Sequence, residues 1–181
     1  RLARKRALVR RAVSVENIGR VTQICTDKTG TITVGHLELT HVVPGESFTE
    51  IELVQVALNA SSSDTDPMDL AIRSWATTRN LSPLERLKTF PFSEDRKREA
   101  VFVRAPGGEV MICMKGSPET ILAMSGLPEE GRVLWATRVQ ELARAGHKVI
   151  GCARLATGSS ETSKEPTSDL EFSGLLAFED P

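Results

Sequence analysis

The chain reads as a mixed α/β protein built on a largely antiparallel sheet with helices packed on it. Three observations point there. Short apolar runs of period two flank a Pro106-Gly107-Gly108 turn, apolar residues recur at helical spacing behind clear capping residues, and no internal repeat or long apolar run interrupts the pattern.

The elements follow in order. Val21 to Thr26 reads as a buried strand, and 37–43 as a second, closed by Pro44-Gly45. Ser47 and Glu50 make a capping-box pattern ahead of Ile51, Val54 and Leu58, which predicts a helix from about residue 48. After the polar break 61–66, Asp66 as N-cap and Pro67 in the first turn predict a second helix, with Met68, Ala71, Ile72 and Trp75 on one face. From Arg98 the period is two, with Val101 and Val103 on one face, then the glycine turn, then 110–114, which is a hairpin. Ser117-Pro118 opens a short helix to about Met124. A longer helix carries Trp135, Val139, Leu142 and Ala143 and stops at Gly146. The run 149–153 is a strand, the Ser/Thr/Glu-rich stretch 157–168 is expected to be a mobile surface loop, and 170–178 is the last strand.

A length of 181 residues suits one domain, or one domain and part of another. With a formal charge of −1, nothing global favours nucleic acid. The first twenty residues are lopsided, with Arg1, Arg4, Lys5, Arg6, Arg10, Arg11 and Arg20 against Glu16 alone. Leu8, Val9, Ala12 and Val13 make an amphipathic helix the expectation there, its basic side suited to anionic lipid headgroups or to water. The odd count of cysteines, Cys25, Cys113 and Cys152, argues against a disulfide framework and for reduced thiols. No run of eighteen apolar residues and no signal peptide is present.

Asp27-Lys28-Thr29-Gly30-Thr31-Ile32-Thr33 is the segment with the most chemistry. A carboxylate at the end of a strand is placed as a nucleophile, and the small and hydroxyl residues after it can surround a phosphoryl group. The heptapeptide resembles the phosphorylation loop of P-type ATPases, pumps that pass through an aspartyl-phosphate. It is also similar to the loop of haloacid dehalogenase-type phosphatases, which carry a second Asp two positions on. Here that position is Thr29. Without a local base to activate water, an acyl-phosphate on Asp27 would persist. The resemblance gives Asp27, Lys28, Thr29 and Thr31 catalytic roles and has Mg²⁺ touching the Asp27 carboxylate and the Thr29 carbonyl.

Four further segments resemble the nucleotide-binding domain of the same family. Asp66-Pro67-Met68-Asp69 resembles a Pro-Met-acidic segment whose acidic residue lies beside the adenine; Asp69 would equally serve as a first-turn carboxylate supporting its helix dipole. In Phe90-Pro91-Phe92-Ser93-Glu94-Asp95-Arg96-Lys97, an unusual sequence for a plain strand, the resemblance implies that Phe92 stacks on adenine and Lys97 borders the nucleotide, with Phe90 the better core residue. Met114-Lys115-Gly116-Ser117-Pro118-Glu119 puts a lysine at a strand end before a helix start, where Gly116 allows close approach to the backbone; the resemblance has Lys115 lining the ATP pocket. In 146–153 the family usually has arginine where this chain has Lys148, which keeps the charge and loses the forked geometry, so that Arg154 is a candidate to share phosphate contact.

The resemblance thus divides the chain into 1–33, the opening of a haloacid dehalogenase-like phosphorylation domain; 34–178, a nucleotide-binding domain; and 179–181, a hinge. It implies ATP and Mg²⁺ as ligands, and the remaining phosphorylation, actuator and transmembrane domains as partners. The chain would be a cytoplasmic portion of an integral membrane protein that transports cations. The family's Thr-Gly-Asp segment, its phosphoryl-neutralising lysine and its Gly-Asp-Gly-x-Asn-Asp motif do not occur here. The chain alone is therefore expected to bind ATP, with Kd about 0.1–10 mM, and not to turn it over. The transported ion is not written in these residues, although none of His36, His41 and His147 precedes proline, which counts against the His-Pro pair of heavy-metal pumps. The alternatives are a non-catalytic nucleotide-binding regulator and a soluble aspartyl phosphatase, the latter opposed by Thr29.

Overall fold

In the computed structural model the described residues are 20–23, 25–26, 36–157 and 164–180. The backbone divides into two units, 1–34 and 35–181. The second holds a six-stranded sheet, antiparallel throughout: β1 (Glu38–Pro44), β2 (Glu85–Ser93), β3 (Arg98–Arg104), β4 (Val110–Gly116), β5 (Lys148–Thr157) and β6 (Glu171–Glu179), in the order β1-β6-β5-β4-β3-β2. Among the described residues four helices accompany it: α1 (Glu50–Ala60), α2 (Pro67–Thr77), α3 (Pro118–Met124) and α4 (Glu129–Arg144).

An antiparallel sheet often leaves one face to water. This one is covered on both, because its central strands carry apolar side chains at successive positions. On one face Val101 and Val103 of β3, Cys113 of β4 and Leu176 and Phe178 of β6 pack with Leu53, Val54 and Ala57 of α1 and Ala71 and Ile72 of α2. On the other, Phe102, Ile112, Met114, Leu175 and Ala177 pack with Ile121 and Leu122 of α3 and Leu142 of α4. The result is a three-layer arrangement, helices, sheet, helices.

The hairpin, the last three helices and the terminal strands lie where the sequence puts them. Asp66 caps α2 through both Met68 N and Asp69 N, and Gly146 follows α4 at φ +96°.

Several expectations are corrected. The first helix starts at Glu50, not near 48, and its capping box is Thr49 with Glu52. Two such patterns overlap in the sequence; Phe48 N donates to Gly45 O, which closes residues 45–48 into a turn and leaves Thr49 as the cap. The stretch around Phe90-Pro91-Phe92 is a strand after all. β2 is an edge strand, where proline removes no ladder donor, and its register shifts between Phe90 and Ser93.

In the described part of the loop after β5, Glu165 bridges Arg96 (Nη1 to Oε2, 2.9 Å) and Arg98 (Nε to Oε1, 2.8 Å), which ties that end of the loop to the turn between β2 and β3. Finally, the described residues of the 21–26 run, Val21, Thr22, Gln23, Cys25 and Thr26, are exposed and lie in no strand, contrary to the buried strand expected. The basic N-terminal helix expected before residue 20 lies outside the described residues.

Cys113 and Cys152 are buried free thiols and Cys25 is an exposed one. Among the described residues no helix is long and apolar enough to cross a membrane.

Candidate functional site

Where β3 begins and β4 ends, the sheet meets the N-terminal turn of α2 and the start of β5. These elements enclose a cleft of about 580 Å³, within the range of small-molecule sites. Asp69, Phe92, Lys97, Lys115, Gly116 and Lys148, six residues singled out in four separate sequence segments, all line it. Met68, Pro91, Val149 and Ile150 add apolar wall.

The bringing together of two of these segments has a visible cause. Lys97 adopts a left-handed backbone conformation, φ +51°, in the turn between β2 and β3, and its N–H donates to Ser93 O at 2.7 Å. Its carbonyl then accepts from Ser117 N at 2.9 Å. A Cβ on residue 116 would lie 2.5 Å from that carbonyl and 2.7 Å from Arg98 Cβ. Gly116 thus admits the chain's own β2–β3 turn, not an external group, against the backbone. The start of α3 is likewise satisfied from within, by Ser117 Oγ accepting from Thr120 N.

The rim and the floor of the cleft differ in character. Phe92, on the outer end of β2, is 53% exposed, whereas Phe90 packs towards Phe102 with ring centroids 6.1 Å apart. Phe90 packs against the core, as expected, and Phe92 lines the cleft. Lys97 and Lys148 are exposed rim cations. Lys115 is different: its side chain is 6% exposed, and Nζ donates to Asp69 Oδ1 at 2.6 Å and to Glu99 Oε1.

Both carboxylates are held a second time, Asp69 Oδ2 by Ser63 N (2.9 Å) and Glu99 Oε2 by Ser62 Oγ (2.5 Å). Burial alone would depress the Lys115 pKa, but the neighbouring Glu99 and Asp69 charges outweigh it and the value is raised, so the amine stays an ammonium.

Glu99 was missed in the sequence, although a signal existed. It shares the alternation parity of Val101 and Val103, which places a carboxylate on a core-facing position, and it pairs directly across the ladder with Lys115. Arg154, the alternative phosphate contact, does not line the cleft. It pairs with Glu171 (2.8 Å) and lies 4.5 Å from the centre of the Phe48 ring. Asp27, Lys28, Thr29 and Thr31 lie outside the described residues. Among the described residues no cluster of three or more His, Cys, Asp or Glu could hold a metal.

Comparison with known proteins identifies the family. The chain is 28% identical over 192 residues to Plasma membrane ATPase 2 of Schizosaccharomyces pombe, covering 99% of this chain and 18% of that protein. It is 28% identical over 216 residues to Calcium-transporting ATPase 8, plasma membrane-type, of Arabidopsis thaliana, covering 97% of this chain and 20% of that protein. The chain therefore spans about a fifth of the length of these relatives.

Among solved structures, a zinc-transporting PIB-type ATPase in the E2.Pi state superposes with TM-score 0.55 at 23% identity, over 92% of this chain and 23% of that one. The N-domain of a copper-transporting P-type ATPase gives 0.54 at 14% identity, over 78% of this chain and 99% of that one. At those identities the likeness establishes the fold, an antiparallel sheet with helices as in P-type ATPase N-domains. Residues 45–181, which contain the sheet from the end of β1 onward and every cleft residue named above, match the family described as P-type ATPase, cytoplasmic domain N, and the chain belongs to that family.

Proposed function

We propose that this chain is the ATP-binding part of a cation-transporting P-type ATPase, with the nucleotide in the cleft between Phe92, Lys97 and Lys148 and the phosphoryl acceptor at Asp27. The convergence of four sequence segments on one cleft that presents a half-exposed phenylalanine carries the reading. An aromatic ring left in water at the edge of an apolar-walled cleft is a stacking platform, and base stacking contributes roughly 1–3 kcal/mol. Lys97 and Lys148 supply mobile point charges suited to the phosphates.

In the whole enzyme, closure of this domain would carry the γ-phosphoryl to Asp27, catalysis resting on positioning and charge neutralisation. Mg²⁺ would be held by Asp27 and the Thr29 carbonyl, both outside the described residues, and would neutralise phosphate charge there. The division at residues 33/34 into the opening of a phosphorylation domain and a nucleotide-binding domain is part of the same proposal, as are the actuator and transmembrane domains as partners.

The test is a calorimetric titration of the 181-residue chain with ATP beside Phe92→Ala. Saturable binding with Kd of about 0.1–10 mM, weakened on the order of tenfold or more in the variant, is expected. Equal affinities in the two proteins would remove Phe92 from the site.

A further inference from the structure

The part of β2 that presents Phe92 is held from outside the cleft. We propose that Glu165, in the loop between β5 and β6, is a positioning residue for the nucleotide site, acting through Arg96 to fix the direction in which the Phe92 ring is offered. The inference rests on the nucleotide reading above and adds a residue that does not line the cleft.

Phe90 pairs with Ala100 and Ser93 with Arg98, so Pro91 and Phe92 together face the single residue 99 on β3. The extra residue makes a bulge on an edge strand, a device that re-aims a side chain at the cost of local ladder bonds. Arg96 supplies other partners. Its Nη2 donates to Pro91 O and its Nε to Ser93 Oγ at 3.1 Å, so one guanidinium grips the residue before Phe92 and the residue after it.

The remaining nitrogen of that fork, Nη1, donates to Glu165 Oε2 at 2.9 Å. The other Glu165 oxygen accepts from Arg98 Nε at 2.8 Å, and Arg98 Nη1 donates to Arg96 O at 3.3 Å. With its three nitrogens engaged on three different residues, the planar guanidinium is held in one orientation, and of the three only Glu165 comes from outside β2. Side-chain exposures are 10% for Glu165, 15% for Arg98 and 30% for Arg96, which sets this group apart from the exposed ion pairs that contribute little. Pro166, next in the chain, disfavours helical backbone at Glu165 and narrows the freedom of the loop at that point.

Without the Glu165 carboxylate, Arg96 keeps its contacts to the bulge and loses its anchor on the β5–β6 loop, so that arginine and bulge are free to move together. If the presenting conformation is then populated about a third to a fifth of the time, apparent affinity falls by the same factor.

Two measurements on the full chain test this, with thermal unfolding to show that each variant is folded. The first is an NMR titration with ATP of wild type, Glu165→Gln, Phe92→Ala and the double variant. Glu165→Gln should weaken binding about three- to fivefold, and should add nothing in the Phe92→Ala background, since it acts through that ring. Arg96→Lys, which keeps the charge and loses the fork, should reproduce the loss. Glu171→Gln, which breaks the ion pair with Arg154 outside the cleft, should not. Unchanged affinity in folded Glu165→Gln, or a loss that persists undiminished without the Phe92 ring, would overturn the proposal.

The second is backbone ¹⁵N relaxation of the chain without ligand. The amides of Phe92 and Ser93 should show order parameters near about 0.85 in the wild type and fall toward about 0.6 in Glu165→Gln, with those of β3 and β4 unchanged. Equal order in the two proteins would overturn the proposal even if ATP binding were lost. If wild type did not bind ATP, the nucleotide reading would fall, while the relaxation result would still decide whether Glu165 holds the bulge.

Discussion

The floor and the rim of one cleft use lysine in opposite ways. At the rim, Lys97 and Lys148 are exposed beside the exposed Phe92, and each owes little to its neighbours. At the floor, Lys115 is buried between Asp69 and Glu99, and the local fold depends on it. Residue type alone makes these three lysines equivalent; burial and partners make them different. Changes at the floor should be felt first in stability, and changes at the rim first in binding.

The largest effect that would break this comparison comes from Lys115→Ala. It leaves two buried carboxylates without a cation and is expected to cost about 3–5 kcal/mol in denaturant-induced unfolding. A cost no larger than that of an exposed lysine would mean the triad is not holding the floor.

The next concerns pH. Burial pushes the thiols of Cys113 and Cys152 up to about 12, and Cys152 sits directly across the ladder from Lys115. Thiols in the unfolded chain ionise near about 8.5. Between those values the folded protein binds more protons than the unfolded one, so stability falls as pH rises, by about 1.4 kcal/mol per pH unit for each thiol. Lys115, with its raised folded value, contributes fully below the unfolded lysine value of about 10.4 and loses its contribution only above that. Unfolding curves at pH 7.5 and 10 should therefore differ by about 2 kcal/mol per thiol, and Cys152→Ala should roughly halve the dependence. A flat profile over that interval would contradict the burial of both thiols.

At the rim, Phe92→Ala should remove about 1–3 kcal/mol of ATP binding while changing stability little, because its ring is half in water already. The smallest effect is expected for Lys148→Ala, with stability within about 0.5 kcal/mol of wild type and a modest loss of ATP affinity that grows as salt is lowered.

Much of this arrangement was legible in the sequence. Hairpin, caps and apolar parity gave the sheet and the helices, and the resemblance of short motifs gave the cleft residues. What escaped depended on tertiary context. Pro91 and the charge run 94–98 concealed β2, because an edge strand tolerates what a central strand would not.

Two overlapping capping patterns could not be told apart without the Gly45–Phe48 turn. A lysine at a strand end gave no hint that it was buried, since that follows from Asp69 on a distant helix and Glu99 on a neighbouring strand. Gly116 allows a close approach to the backbone, and the group that makes it is the chain's own Lys97 turn. The strand expected at 21–26 is not formed by its described residues, which are exposed.

The most direct test of the central claim is an amide chemical-shift map of the chain titrated with ATP. Shifts should concentrate on Asp69, on 92–99, on 115–118 and on 148–150, and saturate together with one Kd. Shifts confined to another part of the surface, such as the cleft lined by Arg73 and Arg86, or a spectrum unchanged at millimolar ATP, would contradict the assignment of this cleft as the nucleotide site.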